Sequence, residues 1–324
     1  MSNNLLSINN LTVQYRTDDS VVHAVNDLSI TLERGKTLGF VGETGAGKTS
    51  TAKAIMGLLP DPPAKILSGE ILFESEDLLS KSAKAMRLIR GDKISMIFQD
   101  PMTSLNPVIP IIDQIEEVFL LHQTKNRAEA RRKSIEMLEI VGIKADRADE
   151  YPHQFSGGMQ QRVVIAIALA CTPTLLIADE PTTALDVTIQ AQVLELMKEL
   201  KTRNNTSMLM ITHDLGIVAD ICDHVAVIYA GSVVEYGSRE HIFNNHKHPY
   251  TAGLFGCIPD LSKEESKLIP IAGLMPDPSD LPTGCPFHPR CPNAMPSCSE
   301  KTPEMTTVEA GHTVKCSLYK REGM

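Results

Sequence analysis

One stretch of eight residues has the composition and spacing of a phosphate-binding loop. It reads Gly42-Glu43-Thr44-Gly45-Ala46-Gly47-Lys48-Thr49 and fits the pattern G-x-x-x-x-G-K-[ST]. In such a loop the glycines allow backbone N–H groups to turn toward phosphate oxygens, as in an anion-binding nest. The lysine supplies a positive charge for the β- and γ-phosphates, and the last hydroxyl is placed to bind Mg²⁺. The sequence therefore predicts that residues 42–49, with Ser50, bind a nucleoside triphosphate such as ATP and that Thr49 is a magnesium ligand.

The segments on either side of the loop support this prediction. Residues 37–41 read Thr-Leu-Gly-Phe-Val and predict a buried strand that enters the loop. Residues 50–59 predict a helix that leaves it, and the N-terminus of that helix would face the phosphates. A chance glycine-rich turn is the weaker explanation, because strand, loop and helix occur in the required order.

Further polar residues come directly after predicted strands. The apolar run 175–178 ends at Asp179 and Glu180, which predicts two carboxylates at the carboxyl edge of a sheet. Asp179 is then placed to orient Mg²⁺, and Glu180 to polarise the attacking water as general base. His213 follows the predicted strand 208–212 and could report the γ-phosphate, although a lone histidine is more often packed or exposed.

Four of the seven cysteines lie near the end of the sequence, at Cys285, Cys291, Cys298 and Cys316. In a reducing compartment such a group indicates a metal before a disulfide. Four thiolates can hold either a [4Fe–4S] cluster or a tetrahedral zinc ion, and the gaps of five, six and seventeen residues are longer than those of most zinc fingers. Free thiols are the weaker explanation, because a proline-rich segment with little core needs a cross-link to be ordered.

Regular elements must position these residues. Residues 5–15 and 21–33 alternate apolar and polar positions, which predicts two strands of an antiparallel layer, with Tyr15 at the end of the first. Another short apolar strand, 93–98, ends at Gln99. Residues 107–142 contain three apolar-periodic segments with many charges and predict a helical subdomain.

The remaining pattern predicts an α/β fold with a mainly parallel core sheet. After residue 156, predicted helices alternate with short apolar strands up to residue 236, and such alternation places helices on the faces of the sheet. From about residue 244 many prolines interrupt the chain, which predicts an irregular segment. We therefore place a domain boundary near residue 240, with residues 1–240 as the α/β domain, its helical part at about 100–170, and 241–324 as a proline- and cysteine-rich extension.

Composition narrows the class of protein. The chain of 324 residues is 42% hydrophobic and 22% charged, which is ordinary for a globular protein. Its formal charge of −9 argues against a general nucleic-acid binder, which would carry a basic face. No run approaches the roughly 20 apolar residues of a transmembrane helix, and the first residues do not resemble a secretory signal. We expect a chain that is cytosolic or attached to a membrane through a partner.

Together these residues resemble the ATP-binding cassette (ABC) ATPases of transporters. The resemblance covers roughly residues 5–240 and implies the ABC fold: a P-loop ATPase core with an antiparallel β layer and a helical subdomain. The matching features occur in the family's order, and they are Tyr15, the loop 42–49, Gln99, Phe155-Ser156-Gly157-Gly158-Met159, Asp179-Glu180, Ala184-Leu185-Asp186 and His213.

The resemblance implies a mechanism in which two cassettes work head to tail. Tyr15 would stack on adenine, and Ser156, Gly157 and Gly158 would bind the γ-phosphate of ATP held by the partner cassette. Gln99 would contact Mg²⁺ and couple the helical subdomain to membrane subunits, and Asp186 would communicate across the dimer. Phe155 and Met159 stand where the family usually has Leu and Gln; both flank the Ser-Gly-Gly, so we expect its function to be kept.

A narrower resemblance points to the dipeptide and oligopeptide importers. It is carried by the sequence around Ser156 to Arg162, by residues 100–107, by His248-Pro249-Tyr250-Thr251 and by the cysteines. It implies a second, different ATPase chain, two transmembrane permease subunits, an external substrate-binding protein and a location at the cytoplasmic face of the membrane. It also favours a [4Fe–4S] cluster, with zinc as the alternative.

Two other functions remain as alternatives at this point. The nickel and glutathione importers share the same features, so either could be the cargo. A soluble ABC ATPase that acts on ribosomes or DNA is the alternative from another class. Such proteins usually carry two cassettes in one chain or a long coiled-coil insertion, and neither pattern occurs in this sequence.

Overall fold

The computed structural model describes residues 3–183, 185–257 and 270–319. Ala184, part of the family resemblance, lies outside the described residues. The chain divides into two compact units. The helical unit consists mainly of Ser80–Ile211 with Glu33–Thr37, and the loop unit consists of Asn4–Leu32, Leu38–Leu79 and the described residues from Thr212 onward.

The strands confirm the predicted α/β pattern. They are β1 (Asn4–Arg16), β2 (Val21–Glu33), β3 (Thr37–Val41), β4 (Ala64–Phe73), β5 (Glu76–Asp77), β6 (Ile94–Ile97), β7 (Leu175–Asp179), β8 (Ser207–Thr212), β9 (His224–Tyr229), β10 (Ser232–Ser238), β11 (Thr306–Glu309) and β12 (His312–Val314).

The helices include the one predicted after the phosphate loop and those predicted between strands after residue 156, and several that the sequence did not predict. They are α1 (Lys48–Met56), α2 (Ala83–Ile89), α3 (Pro101–Ser104), α4 (Ile111–His122), α5 (Arg127–Ile140), α6 (Gly157–Leu169), α7 (Val187–Asn204), α8 (Leu215–Ile221), α9 (Arg239–Asn245), α10 (Pro249–Gly256) and α11 (Pro296–Glu300).

Two sets of strands form the loop unit. The first is an antiparallel sheet in the order β2-β1-β4-β5, in which Tyr15 pairs with Ala64. The second has the order β11-β12-β10-β9-β3, with β3 parallel to β9. All five residues of β3 are buried, as expected for a parallel strand covered on both faces. The buried β3 therefore gives the phosphate loop a rigid starting point.

The helical unit contains a parallel array in the order β8-β7-β6. Strand β7 is buried along its whole length and ends at Asp179, so the predicted acidic pair does follow a core strand. The region 107–142 forms two helices, α4 and α5, and the prediction of three was wrong. Pro110 stands at the N-cap position of the first without a capping hydrogen bond, and the side chain of Asn126 caps the second by accepting the N–H groups of Ala128 and Glu129.

The prediction of an irregular segment after residue 244 was also wrong in part. Helices α10 and α11 and strands β11 and β12 lie within it. The two strands meet at a turn where Gly311 has a φ of +74°, and β12 pairs with β10. Strands of four and three residues have little stability alone, so the open edge of β10 is what makes them form. Among the described residues, no helix has both the length and the apolar composition needed to cross a bilayer.

Candidate functional site

The glycines of the phosphate loop are needed for its shape. Gly42 and Gly47 have no space for a Cβ atom, which would overlap the carbonyl oxygens of Ile228 and Ala24 respectively. Gly47 also has a φ of +96°, in the left-handed region that favours glycine. The turn is closed by two backbone hydrogen bonds, from Ala46 N–H to Glu43 O and from Gly231 N–H to Ala46 O. The loop therefore needs glycine at the positions where neighbouring strands leave no room for a side chain.

Lys48 is buried within this loop. Its Nζ donates to the carbonyl oxygens of Gly42 at 2.7 Å and Glu43 at 3.0 Å. The ammonium group thus lies against the loop backbone at Gly42 and Glu43. A phosphate bound by the loop would be close to this positive charge. Thr44 and Gly45 are exposed at the tip, and Thr49 is half-buried in the first turn of α1. The arrangement suits an anion bound at a helix N-terminus.

Tyr15 and His213 belong to the same unit as the phosphate loop. Tyr15 is half-buried, and its hydroxyl lies 3.2 Å from the hydroxyl of Ser50 in the first turn of α1. The structure therefore brings the predicted adenine-stacking residue next to the end of the loop. His213 follows β8 and is exposed. It precedes Asp214, whose N–H donates to Thr212 Oγ1.

The helical unit brings together Gln99 and Glu180. Gln99 Nε2 and Thr183 Oγ1 each donate to Glu180 Oε2 at 3.0 Å, and Asp179 is 2% exposed at the end of β7. Glu180 has a φ of +48°, an uncommon conformation for a residue with a long side chain. Such strain costs about 1–3 kcal/mol and is concentrated at functional sites. Sequence reasoning placed both residues in the site but did not predict Thr183, which could have been noticed only as a hydroxyl three positions after Glu180.

The Ser156-Gly157-Gly158 sequence forms the N-terminus of α6. Ser156 is the N-cap residue, its side chain makes no capping hydrogen bond, and both Ser156 and Gly157 are exposed. A Cβ atom on Gly157 would meet nothing within 4 Å, whereas one on Gly158 would crowd Ile189. An exposed hydroxyl and free N–H groups at the start of a helix are suited to anion binding. Asp186 caps α7 instead, accepting the N–H groups of Thr188 and Ile189.

Sequence reasoning missed Arg147, which supports the Ser-Gly-Gly segment. Its guanidinium lies 4.5 Å from the centre of the Phe155 ring, and its Nη1 is 3.3 Å from Met159 Sδ. It also forms an ion pair with Glu150. The two positions at which the sequence differs from the common family pattern are therefore packed around one arginine. No sequence spacing indicates this contact.

The four predicted metal ligands line one small cavity. Cys285, Cys291, Cys298 and Cys316 are all free thiols, and Cys285 N–H donates to Cys298 O at 2.7 Å. Burial raises the pKa of Cys316 to about 11 and raises the pKa values of Cys285 and Cys291. A bound cation would oppose that effect because it stabilises the thiolate form. Across the part of the chain that the structure covers, no three His, Cys, Asp or Glu side chains are arranged as ligands of one metal ion.

The extension also contacts the phosphate loop directly. Arg290 Nη1 donates to Glu43 Oε2 at 3.0 Å, and Glu43 N–H donates to the hydroxyl of Tyr250 at 3.0 Å. Tyr250 is fully buried, and its ring packs against Tyr229 and Phe287. The sequence indicated Tyr250 only as part of a family motif. It did not indicate Arg290, because Arg290 and its partner Glu43 are 247 positions apart.

This fold and this phosphate loop define an ATP-binding cassette, and the chain belongs to the ABC transporter family. The family's sequence model matches residues 25–183, and a second model, of the oligopeptide/dipeptide transporter C-terminal region, matches residues 234–298. The chain is accordingly an ATPase whose hydrolysis is coupled to transport. ATP and Mg²⁺ are the ligands expected for this class.

Individual relatives are similar over nearly the whole chain. The dipeptide transport ATP-binding protein DppD of Bacillus subtilis is 51% identical, covering 97% of this chain and 94% of that protein. The oligopeptide transport ATP-binding protein OppD of Haemophilus influenzae is 50% identical, covering 98% of both. Among solved structures, a dimeric ATP-binding cassette in a post-hydrolysis state, bound to ADP and Pi, has a TM-score of 0.65 at 25% identity and covers 72% of this chain and 98% of that one.

Proposed function

We propose that the chain is the ATP-hydrolysing subunit of an importer of dipeptides or oligopeptides. The observation that carries this proposal is the 51% identity with a dipeptide transport ATP-binding protein over 97% of the chain. The match of residues 234–298 to the oligopeptide/dipeptide transporter C-terminal region supports the same cargo class. This identity extends through the extension as well as the ATPase core.

In this proposal the phosphate loop binds ATP through main-chain N–H groups and one lysine. Lys48 supplies the charge for the β- and γ-phosphates, and Thr49 is a ligand of Mg²⁺. Tyr15 stacks on adenine; its position beside Ser50 at the start of α1 supports this role. The shape of the glycine backbone and the burial of Lys48 support the phosphate assignment.

Glu180 is proposed as the general base and Asp179 as a magnesium ligand together with Gln99. The carboxylate oxygen of Glu180 that accepts from Gln99 and Thr183 is held in a fixed orientation, which a base requires. Its left-handed backbone is also consistent with a functional position. His213 would contact the γ-phosphate. Mg²⁺, when bound, would neutralise negative charge on the phosphates.

Ser156, Gly157 and Gly158 are proposed to act on ATP held by a second ATPase chain, and Asp186 to lie at the contact between the two. The exposed start of α6 supports this, because its hydroxyl and N–H groups are available to a partner's ligand. A different chain as the second ATPase, two membrane permease subunits and an external substrate-binding protein complete the proposed assembly. The subunit would work at the cytoplasmic face of the membrane, held there by the permeases.

We also propose that the four cysteines hold a [4Fe–4S] cluster with a structural role. Four free thiols on one cavity supply the right donor set. A cluster of this type binds each of its four thiolates through a separate iron. The proposed organisation is then an ATPase domain at 1–240, with its helical subdomain at about 100–170, and an extension at 241–324 that contains the cluster.

The function is tested by reconstituting the assembled transporter in vesicles with its binding protein. We expect di- or oligopeptides, but neither nickel nor glutathione, to stimulate ATP hydrolysis. Glu180→Gln should lower turnover by about 10²- to 10⁴-fold while ATP binding is kept. Stimulation by nickel or glutathione alone would contradict the cargo class, and unchanged turnover in Glu180→Gln would contradict the base.

The cluster is tested by anaerobic purification and metal analysis of the full chain. We expect four iron atoms and four sulfides per chain and a broad charge-transfer absorption at about 400 nm. Cys298→Ser should reduce the iron content, whereas Cys257→Ser, which changes an exposed cysteine outside the cavity, should not. Stoichiometric zinc in a colourless protein would contradict the cluster and assign the site to zinc.

A further inference from the structure

The cysteine-rich extension touches the phosphate loop through one buried cation. The Arg290 side chain is 7% exposed and lies next to Cys291, one of the residues that line the cysteine cavity. Its Nη1 is 3.0 Å from the carboxylate of Glu43, the second residue of the phosphate loop. Its Nε donates to Ala272 O, so the guanidinium is held from two sides. A nearly buried arginine that is fixed in this way is not a chance surface contact.

The surroundings of this ion pair are rigid. Tyr229, Tyr250 and Phe287 form a cluster of rings whose centres are 4.6–5.4 Å apart. Arg290 Nη1 is 3.4 Å from the Tyr229 hydroxyl, and the Tyr250 hydroxyl accepts the Glu43 N–H. Tyr250 therefore holds the backbone of Glu43, and Arg290 holds its side chain.

The charge of Glu43 gives this contact a consequence for ligand binding. A carboxylate within a loop that binds a triphosphate repels the ligand unless a cation neutralises it. Lys48 Nζ bonds main-chain carbonyls of Gly42 and Glu43, whereas Arg290 bonds the Glu43 carboxylate itself. The neutralising cation thus comes from the extension.

We propose that Arg290 is a positioning residue for the phosphate loop. It neutralises the Glu43 carboxylate. The affinity for nucleotide therefore depends on whether residues 285–316, the cysteine segment that contains Arg290, are folded. This inference rests on the proposed binding of ATP to residues 42–49. It adds a route by which the state of the cysteine site changes the affinity of the ATP site, and by linkage nucleotide must stabilise the cysteine segment to the same extent.

The direct test measures the affinity of the full-length chain for Mg-ADP by calorimetry at low salt. Arg290→Met should weaken binding about tenfold, because the Glu43 charge is left beside the phosphates. Glu43→Gln should bind Mg-ADP more tightly than wild type, because Arg290 is then an uncompensated cation near the phosphates, and the double variant Arg290→Met/Glu43→Gln should recover to within about twofold of wild type. Lys301→Met, which removes an exposed cation of the same segment, should leave affinity unchanged.

Recovery of Mg-ADP affinity in the double variant shows whether Arg290 acts by neutralising Glu43 or only by anchoring the extension. If Arg290 only anchors the extension, the double variant will bind as weakly as Arg290→Met, and that result would overturn the proposal. Unchanged affinity in Arg290→Met would overturn it too. If Arg290→Met does not fold, Glu43→Gln carries the test alone, since equal or weaker binding in that variant would contradict the charge pairing of Arg290 with Glu43. A wild-type chain that binds no Mg-ADP would instead contradict the proposed function.

Hydrogen exchange gives an independent readout of the coupling. Mg-ADP should slow the exchange of backbone amides around residues 285–291 in wild type and leave them unaffected in Arg290→Met. Equal exchange in wild type with and without Mg-ADP would contradict the coupling. Raising the salt concentration should narrow the difference in affinity between wild type and Arg290→Met, because salt screens the repulsion.

Discussion

The phosphate loop lies between two regular elements, β3 and α1, whereas the cysteine segment is held by side chains and strand pairing from elsewhere in the loop unit. The loop's shape depends on glycines and backbone hydrogen bonds within or next to it. The cysteine segment is placed by short strands on the edge of β10 and by the buried contact of His312 with Glu235. The glycine pattern that permits the loop's backbone is local in sequence, whereas no local pattern indicates the placement of the cysteine segment, which requires the formed sheet.

Among the substitutions that should affect the phosphate loop and the cysteine segment differently, Lys48→Ala should have the largest effect. The substitution removes the cation inside the phosphate loop, and we expect turnover to fall about 10³-fold, as for the loss of a central electrostatic group. The cysteine site should keep its iron, because Arg290 bonds the Glu43 carboxylate, whereas Lys48 bonds the main-chain carbonyl oxygens of Gly42 and Glu43. Turnover and iron content measured on the same preparation check both statements.

Loss of iron in Lys48→Ala would contradict the prediction that the cysteine site does not depend on the Lys48 side chain. Lys53→Ala is the matched control, since it removes a lysine from the other end of the same helix. It should retain both turnover and iron.

The next effect should come from Glu235→Ala and should act on the extension first. Glu235 is fully buried and accepts from the N–H groups of Lys247 and His248, and its Oε1 is 2.8 Å from His312 Nε2. Removing the shared acceptor leaves two buried polar groups and one partly buried one without their partner, which should lower the free energy of unfolding by about 3 kcal/mol or more. Urea unfolding measures this change.

Hydrogen exchange shows where Glu235→Ala loses stability. The backbone amides of β11 and β12 should exchange faster than in wild type, and those of β3 should change less. Glu304→Ala, at a side chain that is 85% exposed, is the control and should change stability little. An equal stability for the two variants would contradict the role of Glu235 in holding the extension.

The smallest effect should come from Arg147→Met in the helical unit. Losing the guanidinium over the Phe155 ring should displace the Ser-Gly-Gly segment slightly and reduce turnover of the assembled transporter about two- to fivefold. Binding of Mg-ADP to the isolated chain should stay the same, because that site uses the phosphate loop. Arg132→Met removes a surface pair with Glu136 and serves as the control. Weaker Mg-ADP binding in Arg147→Met would contradict the assignment of Ser156–Gly158 to a partner's nucleotide.

The sequence alone predicted the elements whose determinants are local. The loop 42–49, the buried strand before it and the acidic pair at the end of β7 follow from consecutive residues. The pairing of Gln99 with Glu180 depends on two strands that end side by side, and family resemblance indicated both residues but not their contact.

The remainder depends on contacts between distant parts of the chain. Arg290 and Glu43 are 247 positions apart, and a lone arginine beside a cysteine carries no signal of its partner. Strand β12 has three residues and forms because β10 offers an unpaired edge. The number of helices in 107–142 was overestimated because charged, apolar-periodic segments continue through the turn between α4 and α5.

The central claim is that residues 42–49 hold the triphosphate and that Ser156–Gly158 complete the site of a second ATPase. A structure of the assembled transporter with Glu180→Gln and Mg-ATP tests it most directly. The prediction is a triphosphate within hydrogen-bonding distance of the backbone N–H groups of the loop and of Lys48, with Ser156 of this chain at the γ-phosphate of the partner's nucleotide. Nucleotide bound elsewhere, with the loop 42–49 making no phosphate contact, would contradict the account.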